Sequence, residues 1–346
     1  MKHLLCIGIV LFGLLFPVSA SGIVAPTVPD DVEELMPAQD ESFGAQLWHV
    51  FTQAFEEAQP AVASGAKLCL GVIACVFLFS LLQNFSSQSK SVAELAGVLA
   101  ISGILFGNAD SMIEMGTQAV VDISQYGKLL LPVMTAALAS QGDSVTAASL
   151  YGATAIFDTV LSSLISSVLI PMVYIFLVFS VISAATDEDL LRKLRDLIKQ
   201  ISSWFLKLSL YIFTGYISIT GVISGTADQA AVKATKLTIS GMVPVVGGIM
   251  SDASETLLVS AGLIKNTAGI YGLLAILAVG LIPFLTIGIH YLMLKCTAAL
   301  CAVFSGKTIS TLLSDFASAM GLVLAMFGAI SMIQLISVVC FLRGVG

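Results

Sequence analysis

Long apolar runs, separated by short polar stretches, recur along the chain and predict membrane-spanning helices. The hydrocarbon core of a bilayer is roughly 30 Å thick, and a helix needs about 20 residues to cross it. Runs of about this length cover 66–85, 92–109, 161–185, 204–224, 270–293 and 316–342. We therefore predict an all-α polytopic membrane protein with about six transmembrane helices, and the stretch 129–160 leaves room for a further crossing.

The first 20 residues have the three-part form of a secretory signal peptide. Lys2 precedes an apolar run from Leu4 to Phe16, and Val18-Ser19-Ala20 supplies the small residues of a cleavage site. We predict that segment 1–20 is removed after Ala20. An uncleaved anchor is the alternative.

Residues 21–65 form an acidic segment that we expect outside the cytoplasm. It contains eight carboxylates and no Lys or Arg, whereas the segments that stay inside are usually basic. Within it, apolar residues recur at helical spacing at positions 43, 47, 50, 51 and 55. This pattern predicts an amphipathic helix that either docks a partner or lies on the membrane surface or on the body of the protein.

A basic amphipathic stretch follows the third apolar run. Carboxylates at 187–189 precede Arg192, Lys193, Arg195 and Lys199, and leucines and isoleucines lie between these bases. The pattern is typical of a helix at the membrane interface. Because basic loops stay in the cytoplasm, we expect this stretch inside and both chain ends outside.

Two proline motifs recur 112 residues apart in the second part of the chain. Leu131-Pro132-Val133 returns as Val243-Pro244-Val245, and Leu169-Ile170-Pro171 returns as Leu281-Ile282-Pro283. We infer two parallel membrane repeats, 110–224 and 225–346, which follow a first pair of transmembrane helices in 66–109. Such repeats occur in some transport folds.

The segments that open the two repeats, 129–160 and 237–262, are candidate re-entrant hairpins. They are too apolar for free loops and too polar for ordinary spans, and irregular backbone at membrane depth is tolerated where protein or water shields it. Candidate turn residues are Pro132 in the first segment and Pro244, Gly247 and Gly248 in the second.

Asp158, Ser162 and Ser166 follow one another at intervals of four residues and therefore share one face of a helix. A polar stripe in an apolar helix lines either a contact with another helix or a wet path. Both interpretations stay open for this candidate site.

Composition narrows the classes of function. Only 11% of the residues are charged, against about 25% in soluble domains. The net charge of -7 argues against nucleic-acid binding, which needs a basic face. The sequence has no recognisable catalytic, cofactor-binding or metal-binding motif. We therefore expect a lipid-embedded protein that is not an enzyme and needs no cofactor.

Several motifs resemble the stage III sporulation protein AE family, most specifically within 211–272. They are Gly215-Tyr216-Ile217-Ser218-Ile219-Thr220-Gly221, Ala230-Ala231-Val232-Lys233, the stretch 239–248 around Pro244, and Asp252-Ala253-Ser254-Glu255-Thr256. The resemblance extends from the signal peptide to the C-terminus. It carries over no catalytic residues, because none is established for the family.

The resemblance implies a protein of endospore-forming bacteria that is made in the mother cell and lies in the membrane surrounding the forespore. It also implies membership of a channel complex, with other membrane subunits of the stage III complex and a forespore-side partner. We therefore expect a multi-pass component of that complex. An independent secondary transporter of a small solute and a scaffold without a permeation path are the alternatives.

Overall fold

The structure, a computed structural model, describes residues 26, 28, 30–37, 42–85, 90–140, 144–186, 188–219, 267–304 and 307–344. After a short 3-10 helix, Asp30–Leu35, the helices are α1 (Phe43–Glu57), α2 (Gln59–Phe85), α3 (Lys90–Ser140), α4 (Ser144–Leu164), α5 (Ile170–Thr186), α6 (Asp189–Ile219), α7 (Thr267–Phe304) and α8 (Lys307–Gly344). The π-helical stretch Ile165–Leu169 joins α4 to α5. The predicted signal peptide 1–20 and the predicted turn residues Pro244, Gly247 and Gly248 lie outside the described residues.

The α4–α5 pair runs antiparallel to α3. Ser124 on α3 donates to Asp158 on α4, and Tyr174 on α5 donates to Asp110 nearer the start of α3. Moving forward along α4–α5 therefore means moving backward along α3. Helix α3 ends at Ser140 and α4 begins at Ser144 with the opposite direction, and both bounds fall within the predicted hairpin 129–160.

The last two helices, α7 and α8, also form an antiparallel pair. Gly269 at the start of α7 packs against Leu342 near the end of α8, and Lys295 donates to Ser314 at the other end of the pair. Helix α6 runs parallel to α8. The described helices therefore form six segments that run in alternating directions, namely α1–α2, α3, α4–α5, α6, α7 and α8.

Five segments of the described chain are helical, long and apolar enough to cross a membrane. They are Phe43–Leu81, Leu95–Ala139, Ala147–Thr186, Gly269–Val303 and Lys307–Leu342. The predicted all-α polytopic class is thereby confirmed, and the predicted number of about six crossings stays a prediction. The predicted span 204–224 falls in α6 as far as Ile219, and 220–224 lie outside the described residues.

The centres of three of these segments meet at one level of the bundle. A Cβ atom placed on Gly116 of α3 would lie 2.2 Å from Val323 Cγ1 on α8 and 3.3 Å from Ile287 Cδ1 on α7. Each of these residues is close to the middle of its own segment. The α4–α5 segment is centred at the same level, between its contacts at Asp158 and Tyr174.

The helix that contains the second predicted span, 92–109, continues well beyond it. Helix α3 has 51 residues and therefore a length of about 77 Å, well over the roughly 30 Å of hydrocarbon. It continues past Ala109 because one of its faces stays apolar and buried, at Met112, Ile113, Val120 and Ile123 among others.

Both prolines of the first repeat lie in helical surroundings. Pro132 is inside α3, eight residues before its end, so helix stands where a turn at Pro132 was expected. The π-helical stretch directly precedes Pro171. A proline ring clashes with the carbonyl four residues earlier and offers no N–H, and a wider helical turn relieves this conflict.

Of the alternatives for the amphipathic stretch in 43–55, the structure shows a helix on the body of the protein. Leu47, Val50 and Ala54 of α1 are buried, and α1 packs against α7. Trp48 and Phe55 remain exposed. The acidic segment is thus anchored to the bundle through one face of α1.

The close packing at Gly116 leads to a prediction. Gly116→Ala forces Val323 or the helix backbones to move, and we expect it to lower the free energy of unfolding by about 1–3 kcal/mol. Gly71→Ala on α2 is the matched control, because its Cβ meets nothing within 4 Å and alanine favours helix by up to about 1 kcal/mol. Thermal unfolding of the two purified variants in detergent measures the difference. Equal stability of the two variants would show that the helices are not packed this closely at Gly116.

Candidate functional site

A buried carboxylate joins three helices. Asp158 on α4 is 0% exposed. Its Oδ2 accepts a hydrogen bond of 2.6 Å from Ser124 Oγ on α3, and its Oδ1 accepts one of 2.7 Å from Gln334 Nε2 on α8. Polar groups buried in an apolar setting are costly unless they are hydrogen-bonded, and both oxygens of this carboxylate are bonded.

A second hydrogen bond lies one helical turn away. Thr154 Oγ1 on α4 donates to Ser337 Oγ on α8 over 2.7 Å, and both side chains are 0% exposed. Residues 154 and 158 are four apart, as neighbours on one helix face must be. We call Ser124, Thr154, Asp158, Gln334 and Ser337 the Asp158 network.

Glycine makes room for the network. A Cβ atom on Gly127 of α3 would lie 2.1 Å from Gln334 Nε2, so the amide occupies the space that a side chain would take. The Oε1 atom of Gln334 is buried and has no hydrogen-bond partner among the described residues. The amide oxygen of Gln334 is therefore an acceptor that makes no hydrogen bond among the described residues.

The other two residues of the predicted stripe do not join this network. Ser162 is partly exposed and Ser166 is exposed. Ser166 lies in the π-helical stretch and donates to the carbonyl oxygen of Ser162 over 2.9 Å. The structure thus places Asp158 alone of the three at a contact between helices.

A second polar cluster lies near the opposite end of α8. Arg195 on α6 forms a 2.5 Å ion pair with Asp315 on α8, and their side chains are only 10% and 14% exposed. Lys199 donates to Ser318 over 3.2 Å, and Lys295 on α7 donates to Ser314. The basic stretch predicted to rest at the interface is therefore bound to α8, and α7 contacts the same part of α8 through Lys295. We call these residues the Arg195 cluster.

The two clusters are separated by about the thickness of a membrane. Asp315 and Gln334 are 19 positions apart on α8, which corresponds to about 28 Å of helix. The hydrocarbon core is roughly 30 Å thick. The stretch of α8 between the two clusters is almost entirely apolar and well buried.

Only part of these two clusters could be predicted from the sequence. Gln334 is the one amide in the run 316–342, and a lone amide in an apolar span is a signal for a buried hydrogen bond. Its distance of 176 positions from Asp158 hides the pairing. Arg195 belongs to an evident basic face, and its sequence neighbours do not show that it is buried against α8.

The Asp158 network is suited to holding helices together. Its carboxylate has two donors aimed at it, and its hydroxyl groups are occupied by one another or by the carboxylate. Within the described part of the chain, no three side chains of His, Cys, Asp or Glu converge as metal ligands would. The expectation that the protein has no catalytic role stays a prediction.

Known proteins resemble the chain over most of its length. A family profile described as Stage III sporulation protein AE matches residues 29–344, a range that contains all eight helices described above. The chain is 26% identical over 303 residues to Stage III sporulation protein AE of Bacillus subtilis (strain 168), a match that covers 86% of this chain and 74% of that protein. No solved structure matches it.

Proposed function

The chain belongs to the stage III sporulation protein AE family, and from this premise we propose that it is a non-enzymatic membrane subunit of the channel complex between mother cell and forespore. The family match is the observation that carries the proposal. It covers residues 29–344 and so includes the whole helical bundle. This extent supports a role for the bundle itself in sporulation.

We further propose that the protein lies in the mother-cell membrane around the forespore, with the Arg195 cluster on the cytoplasmic side. Arg195, Lys199 and Lys295 all contact α8 within residues 314–318, and basic residues favour the cytoplasmic face. Its partners are the other membrane subunits of the stage III complex and a forespore-side protein.

Deletion of the gene tests this function. We expect cells without it to engulf the forespore and then stop, and to yield no heat-resistant spores. A copy of the intact gene at another locus is the control and restores the spores. A normal spore yield from the deletion strain would refute the proposal.

The geometry gives less support to an independent secondary transporter that uses Asp158. Both carboxylate oxygens of Asp158 are bonded inside the bundle, and the side chain is inaccessible. A transport site built on it has to break these bonds in every cycle. We expect no solute flux when the purified protein is reconstituted alone into lipid vesicles.

A further inference from the structure

Helix α3 presents a polar face to the outside of the bundle. Asp110, Glu114, Gln118 and Asp122 follow at intervals of four, and the first three are exposed while Asp122 is half-buried. Residues at this spacing line one side of a helix. We call these four residues the α3 polar face.

The α3 polar face lies at the level of the most apolar parts of its neighbours. Toward the start of α3, Phe106 forms a ring contact with Phe316 on α8. Toward the end of α3, Gly127 packs against Gln334 on α8. Between these contacts lies Gly116, where the centres of three candidate spans meet. Glu114 and Gln118 flank Gly116, so they are at the middle of the bundle.

Lipid is a poor solvent for this face. Charged side chains inside a bilayer are rare, and they face a protein interior or a water-filled cavity. The α3 segment also has the lowest mean hydropathy of the five candidate spans, 1.4 against 2.2 to 2.5 for the others. By contrast, α5 exposes apolar residues such as Ile175 and Val178, which suit lipid.

The bundle leaves part of the hydrogen-bonding capacity of this face unused. Asp110 accepts from Tyr174, and Asp122 accepts from Gln118 over 2.8 Å. Glu114 is exposed and has no hydrogen-bond or ion-pair partner among the described residues. Nearer the start of the same helix, added Cβ atoms on Gly103 and Gly107 would meet nothing within 4 Å, so the described residues leave open space beside these glycines as well.

Resting on the function proposed above, we propose that the α3 polar face lines a water-filled path between this chain and neighbouring subunits, and that the path favours positively charged solutes. Water solvates carboxylates, whereas the same face of a second copy in dry contact would set like charges against each other. Three carboxylates along one path raise the local concentration of cations.

Cysteine accessibility in the assembled complex tests the proposal. Gln118→Cys is introduced into the full chain, with its native cysteines replaced. Opened membranes isolated from sporulating cells, in which both membrane faces are accessible, are treated with a cationic and an anionic thiosulfonate of similar size. Val168→Cys is the matched control. It is an exposed apolar position at the same level, since it lies between the α3 contacts of Asp158 and Tyr174.

After division by the ratio measured for a free thiol in water, we expect the cationic reagent to modify Gln118→Cys roughly tenfold faster than the anionic one, with neither reagent modifying Val168→Cys. Replacing Glu114 and Asp122 by their amides should bring the ratio close to one. Two results would overturn the proposal: no reaction at Gln118→Cys in the complex, or reaction only when the chain is made without the other subunits, which indicates a dry subunit contact.

The outcome can be separated from that of the proposed function. Normal spores in the deletion strain would refute the proposed role in sporulation, whatever the reactivity of Gln118→Cys. Spore loss on deletion together with an unreactive Gln118→Cys leaves the role in place and removes the water-filled path along α3. Reactivity with a ratio of one, before any acid is replaced, overturns the preference for cations.

Discussion

Asp158→Ala lowers the free energy of unfolding by about 2–4 kcal/mol, because it leaves buried hydrogen-bond donors without a partner. Ser124 Oγ and Gln334 Nε2 both donate to this carboxylate, and alanine offers no acceptor in its place. The loss is measured as a shift of the thermal unfolding curve of the purified protein in detergent.

Asp158→Asn is the matched variant, and we expect it to cost less than Asp158→Ala, about 1–2 kcal/mol, since it keeps hydrogen bonds to both Ser124 and Gln334 and leaves only amide N–H groups without a partner. The asparagine oxygen accepts from Ser124. Its amide nitrogen donates to Gln334 once that side chain turns over, because Gln334 Oε1 is buried without a partner. Equal losses in the alanine and asparagine variants would contradict this explanation.

The same pair of variants separates a structural role from a transport role. If Asp158 fastens helices, cells with Asp158→Asn form spores normally, while Asp158→Ala lowers the amount of protein in the membrane and the yield of spores. If the charge of Asp158 carries a solute or a proton, Asp158→Asn abolishes spores although the protein is stable. Spore counts and membrane protein levels distinguish the two.

The second large effect concerns the Arg195 cluster. Arg195→Ala leaves the carboxylate of Asp315 buried without its partner, and breaking a buried ion pair in this way costs about 3–5 kcal/mol. Arg192→Ala is the control on the same helix. The pair of Arg192 with Asp189 has side chains that are 39% and 85% exposed, and such surface pairs contribute at most about 1 kcal/mol.

Replacing both partners tests whether the loss comes from the unpaired charge. We expect Arg195→Met combined with Asp315→Leu to recover most of the stability lost in Arg195→Ala, since the apolar pair leaves no buried charge. Unfolding curves of the single, double and control variants are compared in one detergent. A double variant as unstable as Arg195→Ala would mean that the ion pair is not what holds α6 to α8.

The fold class could be predicted from the sequence because the side chains that face lipid must be apolar along the whole length of a span. Long apolar runs such as 270–293 and 316–342 have no other explanation in a chain with so few charges, and both lie in helices of the structure, α7 and α8. The sequence did not show that the helix containing the predicted span 92–109 continues as far as Ser140, since Asp110 directly follows that span. Polar residues on one face do not end a helix whose other face is buried.

The polar clusters were largely beyond sequence reasoning because their partners are far apart along the chain. Asp158 was selected from its own helix, but Ser124 and Gln334 lie 34 and 176 positions away. Arg195 and Asp315 are 120 positions apart. Such pairs depend on which helices become neighbours, and the periodicity of a single helix contains no information on that choice.

The path of the bundle through the membrane is tested most directly by labelling single cysteines with a thiol reagent that does not cross membranes, in intact protoplasts of vegetative cells that make the protein in their cell membrane. Asp143 falls in the sequence between α3 and α4, the helices that carry Ser124 and Asp158, and Leu197 lies on α6 between Arg195 and Lys199. We expect Asp143→Cys to be labelled at once and Leu197→Cys only after the membrane is opened. Labelling of Leu197→Cys in intact protoplasts would contradict the arrangement of the bundle in the membrane described above.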